Sequence, residues 1–187
     1  MKKIIDTERI LFFKDFILNP SKIGSITPSS SYLTQKLLGS LPWDRLHTII
    51  ELGAGTGVLT EFVIKHKHPD SILLVIEQDT RMRKYLTAKF PQVLFGSQAE
   101  NFPYLMHQYN LLKADCIISS LPFTVIKKQN RMNILAGIDT TLSDQGIFVA
   151  FQYSLQMYST FHQIFSKVNV GFTLLNLPPA FTYTCHK

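Results

Sequence analysis

The chain has 187 residues, of which 45% are hydrophobic and 17% charged, and a formal net charge of +6. That length suits one domain with a real core, and the composition excludes a disordered or fibrous chain and a disulfide framework. No apolar run reaches the roughly 20 residues that span a bilayer and no signal-peptide cleavage pattern opens the chain, so a protein meeting anions, either nucleic acid or a negatively charged membrane face, is expected.

Residues Lys2 to Leu18 predict a helix whose Ile5, Phe12, Phe13, Phe16 and Ile17 share one broad side. Asn19-Pro20 stops it. After a loop over Ser21–Ser30, a short helix is expected from about Tyr32 to Leu38, with Ser29 or Ser30 as N-cap and Gly39 closing it. Beyond Pro42 strands and helices alternate: strand Thr48–Leu52, helix Gly57–His66, strand Ile72–Glu77, helix Thr80–Lys89, strand Val93–Phe95, a helical stretch near Tyr104 and strand Ala114–Ser119. Helix Lys127–Leu142, strand Gly146–Gln152 and a last helix from Leu155 to Phe165 continue a pattern that predicts a parallel sheet. Two β-rich runs, Val168–Asn176 and Ala180–Cys185, are joined by Leu177-Pro178-Pro179 and predict an antiparallel pair at one edge. Cys116 and Cys185 show no metal-ligand spacing, which fits a reducing compartment. His66 and His68 complement the negative end of their helix, and no neighbouring ligand set completes a four-coordinate site, so no metal is expected.

The most informative stretch runs from Ile49 to Thr60, where an apolar strand ends in Gly53-Ala54-Gly55-Thr56-Gly57 and a helical pattern begins. Glycine removes the Cβ atoms that would keep a ligand off the backbone and permits φ > 0 where the chain reverses. A second element matches it. The apolar run Ser71–Ile76 ends on Glu77, 20 residues beyond Gly57, the separation at which an acidic side chain meets a ribose diol.

The run Glu51-Leu52-Gly53-Ala54-Gly55-Thr56-Gly57 resembles the first motif of class I S-adenosylmethionine-dependent methyltransferases. The resemblance implies an α/β fold, a Rossmann-like seven-stranded, mostly parallel sheet with a C-terminal antiparallel hairpin. It implies one domain over residues 1–187, with residues 1–40 as helices covering the site and 47–187 as the core. Glu51, Gly53, Ala54, Gly55, Thr56 and Gly57 are then the residues beside the methionine part of the cofactor, and Glu77 accepts from both ribose hydroxyls. Ser97, Gln98 and Ala99 compete for the place beside the adenine, and Ser29, Ser30 and Ser119 complete the implied set. The product of the cofactor would be S-adenosylhomocysteine.

Ser119-Ser120-Leu121-Pro122-Phe123 stands where amino-methylating enzymes of this fold carry Asn or Asp, then Pro and an aromatic. By that likeness Ser119, Ser120 and Leu121 hold the target nitrogen, and Phe123 flanks it. Together with Gly24–Ser30 and Asn176–Phe181, this turn resembles the small bacterial phospholipid N-methyltransferases, which methylate phosphatidylethanolamine. Tyr32 and Tyr183 belong to segments that share the likeness and could line a head-group pocket. Lys127 and Arg131 follow the turn, where a helix start could face a lipid phosphate. The expected protein is a cytoplasmic monomer, peripherally attached to an anionic membrane surface, with phospholipid as substrate. A ribosomal RNA adenine methyltransferase is the alternative, disfavoured by Ser119 in place of Asn and by the lack of a helical domain after the hairpin. A small-molecule methyltransferase and a silent cofactor-binding module remain further alternatives.

Overall fold

The computed structural model describes residues 31–176 and 178–187. The expected first helix, the Gly24–Ser30 segment with Ser29 and Ser30, and Leu177 lie outside the described residues. Seven strands, Thr48–Leu52 (β1), Ile72–Ile76 (β2), Leu94–Gly96 (β3), Ala114–Ser119 (β4), Leu142–Gln152 (β5), Lys167–Thr173 (β6) and Ala180–His186 (β7), form one sheet in the order β3-β2-β1-β4-β5-β7-β6. The first five pair in parallel, while β7 runs antiparallel to both β5 and β6. The helices among the described residues are Ser31–Leu38 (α1), Val58–His66 (α2), Thr80–Lys89 (α3), Phe102–Gln108 (α4), Lys128–Thr141 (α5) and Tyr158–Ile164 (α6).

Period-two alternation sorts the strand side chains into two cores. Ile49, Val75, Cys116, Ile118 and Val149 point to one face and pack with Leu33 and Leu37 of α1, Leu59 and Val63 of α2 and Leu86 of α3. Ile50, Leu74, Ile117 and Phe148 point to the other and meet Phe102 and Met106 of α4, Ile134 and Ile138 of α5 and Phe161 of α6. Because helices cover both faces, the inner strands read as unbroken apolar runs. Phe161 alone contacts Phe123, Phe148 and Tyr183 edge-on, at centroid distances of 6.0, 5.4 and 5.0 Å. Each such fully buried ring contributes roughly 1.5–3 kcal/mol, enough to hold α6 in place.

Boundaries differ from the sequence-based expectation by three residues or more at three places. β5 starts at Leu142, not Gly146, because Leu142 leaves the helix with extended backbone and pairs with Ala114, after which the register shifts. The Asp144-Gln145-Gly146 step, which reads as a turn, is inside the strand. α6 begins at Tyr158 after a turn over Leu155–Met157. β6 ends at Thr173, whose hydroxyl accepts from the Leu175 amide and turns the chain out of the ladder.

Candidate active site

The strand order reverses between β1 and β4, and the loops that follow β1, β2, β3 and β4 leave the sheet at its carboxyl end beside that point. Register makes this concrete. Gly96, Ile76, Leu52, Ser119 and Ala150 form one row across β3, β2, β1, β4 and β5. Ser97-Gln98-Ala99, Glu77, the glycine turn and Ser120–Phe123 each follow a member of that row.

The glycine turn joins β1 to α2 with φ of +83° at Gly53, +55° at Gly55 and +84° at Gly57. Its glycines serve different ends. An added Cβ would lie 2.9 Å from Leu121 Cδ2 at Gly53 and 2.4 Å from Leu86 Cδ2 at Gly57, so both are bare to let protein pack closely. At Gly55 a Cβ would meet nothing within 4 Å. Gly55 and Thr56 are the exposed tip of the turn, whereas Ala54 is buried beneath it. A ligand can therefore reach the backbone at Gly55.

Glu77 is turned towards that tip. One carboxylate oxygen accepts from the Gly55 amide at 2.6 Å and the other from the Asp79 amide at 2.7 Å. Asp79 in turn caps α3 by accepting from the Arg81 and Met82 amides. Arg83 Nη1 donates to the Glu77 carbonyl at 2.7 Å, so the turn after β2 is held from both sides. A carboxylate has about four lone-pair sites, which leaves Glu77 able to accept two further hydroxyl donors.

Glu51 points to the α2 side of β1 and is wholly buried, with neither carboxylate oxygen in a conventional hydrogen bond. Burial is the main cause that pushes its pKa up to about 7. The charge of Glu77 adds to the rise, and Thr60 in the first turn of α2 acts against it. The helix after the glycine turn has no side-chain cap, so its first amides are free to meet an anionic group such as a carboxylate.

At the third loop Gln98 Oε1 accepts from Asn101 Nδ2 at 2.7 Å, which leaves the Gln98 amide group as a donor. Gln98 precedes a 3-10 turn over Ala99–Asn101, and a groove of about 320 Å³ runs along Arg83, Gly96, Ser97, Gln98 and Tyr104.

The turn after β4 departs from the simplest reading of its sequence. Ser119 is fully buried and its Oγ accepts from the Leu121 amide at 3.2 Å, so this hydroxyl shapes the turn. Ser120 is half-buried, and its amide extends the ladder to the Leu52 carbonyl. Gln152, at the end of β5 and 2% exposed, donates through Nε2 to the Leu121 carbonyl at 2.9 Å. Phe123 and Tyr183 are 0% exposed core rings, so the structure places neither on an open pocket wall; the Tyr183 hydroxyl donates to the Ser154 carbonyl. Lys127 and Lys128 are exposed at the start of α5, and Arg131 Nη1 is spent on the Phe123 carbonyl at 3.1 Å. Tyr32 is 61% exposed on α1, which packs against β5, β6 and β7 and against α2.

Sequence reasoning missed Gln152, Asp79, Arg83 and Asn101. Only Asp79 carried a local signal, an Asp before a helical run; Gln152 acts through a contact 31 positions away, Arg83 through backbone carbonyls, and Asn101 through the side chain of Gln98 three residues earlier. Among the described residues no group of three or more His, Cys, Asp or Glu could hold a metal ion. His66 Nδ1 lies 2.8 Å from the Phe62 carbonyl, within its own helix.

No family model matches the chain. It is 28% identical over 181 residues, 94% of each chain, to an ornithine lipid N-methyltransferase of Singulisphaera acidiphila. Among solved structures it is similar to a precorrin-6y C5,15-methyltransferase of Geobacter metallireducens, with 13% identity, a TM-score of 0.66 and coverage of 88% of this chain and 92% of that one. It is also similar to PigF solved with SAH, with 13% identity, a TM-score of 0.61 and coverage of 84% and 55%. The fold of this chain is that of the class I methyltransferases.

Proposed function

We propose that the chain is an S-adenosylmethionine-dependent N-methyltransferase that methylates the amino group of a membrane lipid, with phosphatidylethanolamine as the acceptor. The observation that carries this reading is the row of carboxyl-terminal strand ends. It sets the open backbone at Gly55, the Glu77 carboxylate and the Ser120–Phe123 turn side by side. Likeness to a lipid N-methyltransferase over 94% of the chain supports a lipid-type acceptor.

The residues fit the cofactor. Glu77 has acceptor sites left for the ribose diol, the Gly55 tip admits close approach, and the buried Glu51 favours a cation near the turn. When bound, the cofactor supplies a methyl on a positively charged sulfur. The acceptor nitrogen would have to be unprotonated, with its lone pair aimed at that methyl, so that the positive charge would pass from sulfur to the methylated amine. What the chain contributes is placement. Ser120 and the Leu121 carbonyl, held by Gln152, orient the amine, and fixing two reactants in one geometry supplies most of the acceleration such a transfer needs.

The test is to incubate the protein with methyl-labelled S-adenosylmethionine and vesicles containing either phosphatidylethanolamine or an ornithine lipid, alongside undermodified ribosomal RNA. Label in phosphatidylethanolamine is the expected result, abolished by Glu77→Ala. Label only in the ornithine lipid corrects the acceptor and keeps the class, and label in RNA overturns the lipid reading.

A further inference from the structure

The β6–β7 hairpin carries apolar side chains that the proposed chemistry does not use. Because β7 runs against β5 and β6 runs against β7, the hairpin tip emerges at the carboxyl end of the parallel strands, the end that holds the candidate active site. Register carries it close: Gln152, which grips the Leu121 carbonyl, pairs with Phe181, and Phe181 pairs with Phe172. At the tip Leu174 is 72% and Leu175 61% exposed, with Phe172 at 47% beside them. Leu155, on the loop leaving β5 at the same end, is 50% exposed, and Tyr158, the first residue of α6, is 46% exposed.

This presentation is built into the turn. Asn176, between the leucines and the prolines, is 7% exposed and its Nδ2 donates to the Pro178 carbonyl at 2.8 Å. Its side chain also bonds Tyr153, the first residue after β5. The Thr173 hydroxyl accepts from the Leu175 amide. The polar side chains of the tip thus turn inward, and the leucines outward.

Charge chooses the partner. Residues 119–131, 152–160 and 172–181, which make up this end of the β4–β6 half of the sheet, contain Lys127, Lys128 and Arg131 and no Asp or Glu. The two acidic residues that follow Asp115 in the chain, Asp139 and Asp144, sit at the last turn of α5 and the first residues of β5, at the opposite end. An apolar tip on an end of the sheet that carries bases and no acids matches a bilayer surface with anionic head groups.

We propose that the β6–β7 tip, Leu174 and Leu175 with Phe172, inserts into an anionic lipid surface and sets the mouth of the active site against it. This deepens the lipid methyltransferase reading and rests on it for the purpose of docking, though not for its occurrence. The test uses the full chain and vesicles of phosphatidylglycerol with phosphatidylethanolamine. Leu174→Ser combined with Leu175→Ser is expected to lower vesicle partitioning by roughly tenfold or more, with cofactor affinity and methylation of a short-chain, water-soluble phosphatidylethanolamine unchanged. A Leu174→Trp variant is expected to shift its emission to the blue on the same vesicles and not on neutral phosphatidylcholine. Unchanged partitioning overturns the proposal. So does an unchanged emission spectrum, a dimer in solution that the serine variant dissociates, or a fall in melting temperature that shows the leucines covered by the chain itself. Tip-dependent vesicle binding without methylation of any lipid amine supports the docking surface and sinks the catalytic reading.

Discussion

Gln152 Nε2 donates to the carbonyl of Leu121 at 2.9 Å, joining residues 31 positions apart at the ends of two neighbouring strands. The same nitrogen donates to the Phe151 carbonyl, so the amide group is fixed in its plane. Through this contact β5 sets the orientation of the turn that follows β4, the turn that presents Ser120.

Gln152→Leu is expected to lower kcat for methyl transfer by roughly 10- to 100-fold, because the Leu121 carbonyl loses its fixed direction. The affinity for S-adenosylmethionine, measured by calorimetry, should change by less than about threefold, since the Glu77–Gly55 contact is untouched. Leaving a carbonyl without its donor should also cost about 1–3 kcal/mol of stability. Gln152→Glu has the shape but not the donor and should fail in the same way. Equal loss of cofactor affinity and kcat would assign Gln152 to the general integrity of the sheet.

The glycines of the turn should separate under mutation. Gly57→Ala places a methyl 2.4 Å from Leu86 at a φ of +84° and should destabilise the protein by about 2–4 kcal/mol. Gly55→Ala, in open space at +55°, should cost only about 1–2 kcal/mol and instead block the cofactor. Denaturant melts and cofactor titrations on both variants check the contrast; normal cofactor binding by Gly55→Ala would show that the ligand does not approach there.

Glu51 predicts a pH dependence of stability. Its folded-state pKa of about 7 lies above the ordinary value of 4.5, with burial as the largest cause. Between those values the folded chain holds a proton that the unfolded chain has released. The contribution is therefore fully present below 4.5, falls as pH rises to 7 and is gone above it, an effect of about 3 kcal/mol at most. Glu51→Gln keeps the shape and removes the titration, so the stability gap between variant and wild type should widen from pH 5 to pH 7.5 in favour of the variant. A gap independent of pH would place the Glu51 pKa in the ordinary range.

The sheet was legible because its signals are local. Apolar strand runs, a glycine turn and Asp79 before a helix each act within a few residues, and β1, β4 and α3 fall where the sequence predicts them. The long β5 was not legible. Asp144-Gln145-Gly146 has turn chemistry, and only pairing of Leu142 with Ala114 makes it strand.

The sequence by itself determined the glycine turn, since the order of Gly53, Gly55 and Gly57 calls for the positive φ the structure has there, and the spacing to Glu77 is fixed along the chain. It also determined that a hairpin closes the sheet. Only the tertiary structure decided that Ser119 of the Ser119-Ser120 pair is buried with its hydroxyl inside the turn, that Phe123 and Tyr183 are core rings, and that Gln152 holds the turn after β4. It also decided that Leu174 and Leu175 share an end of the molecule with the site. Burial and hydrogen bonding across strands depend on which segments the sheet brings together, and strand order is set by contacts between residues distant in the chain.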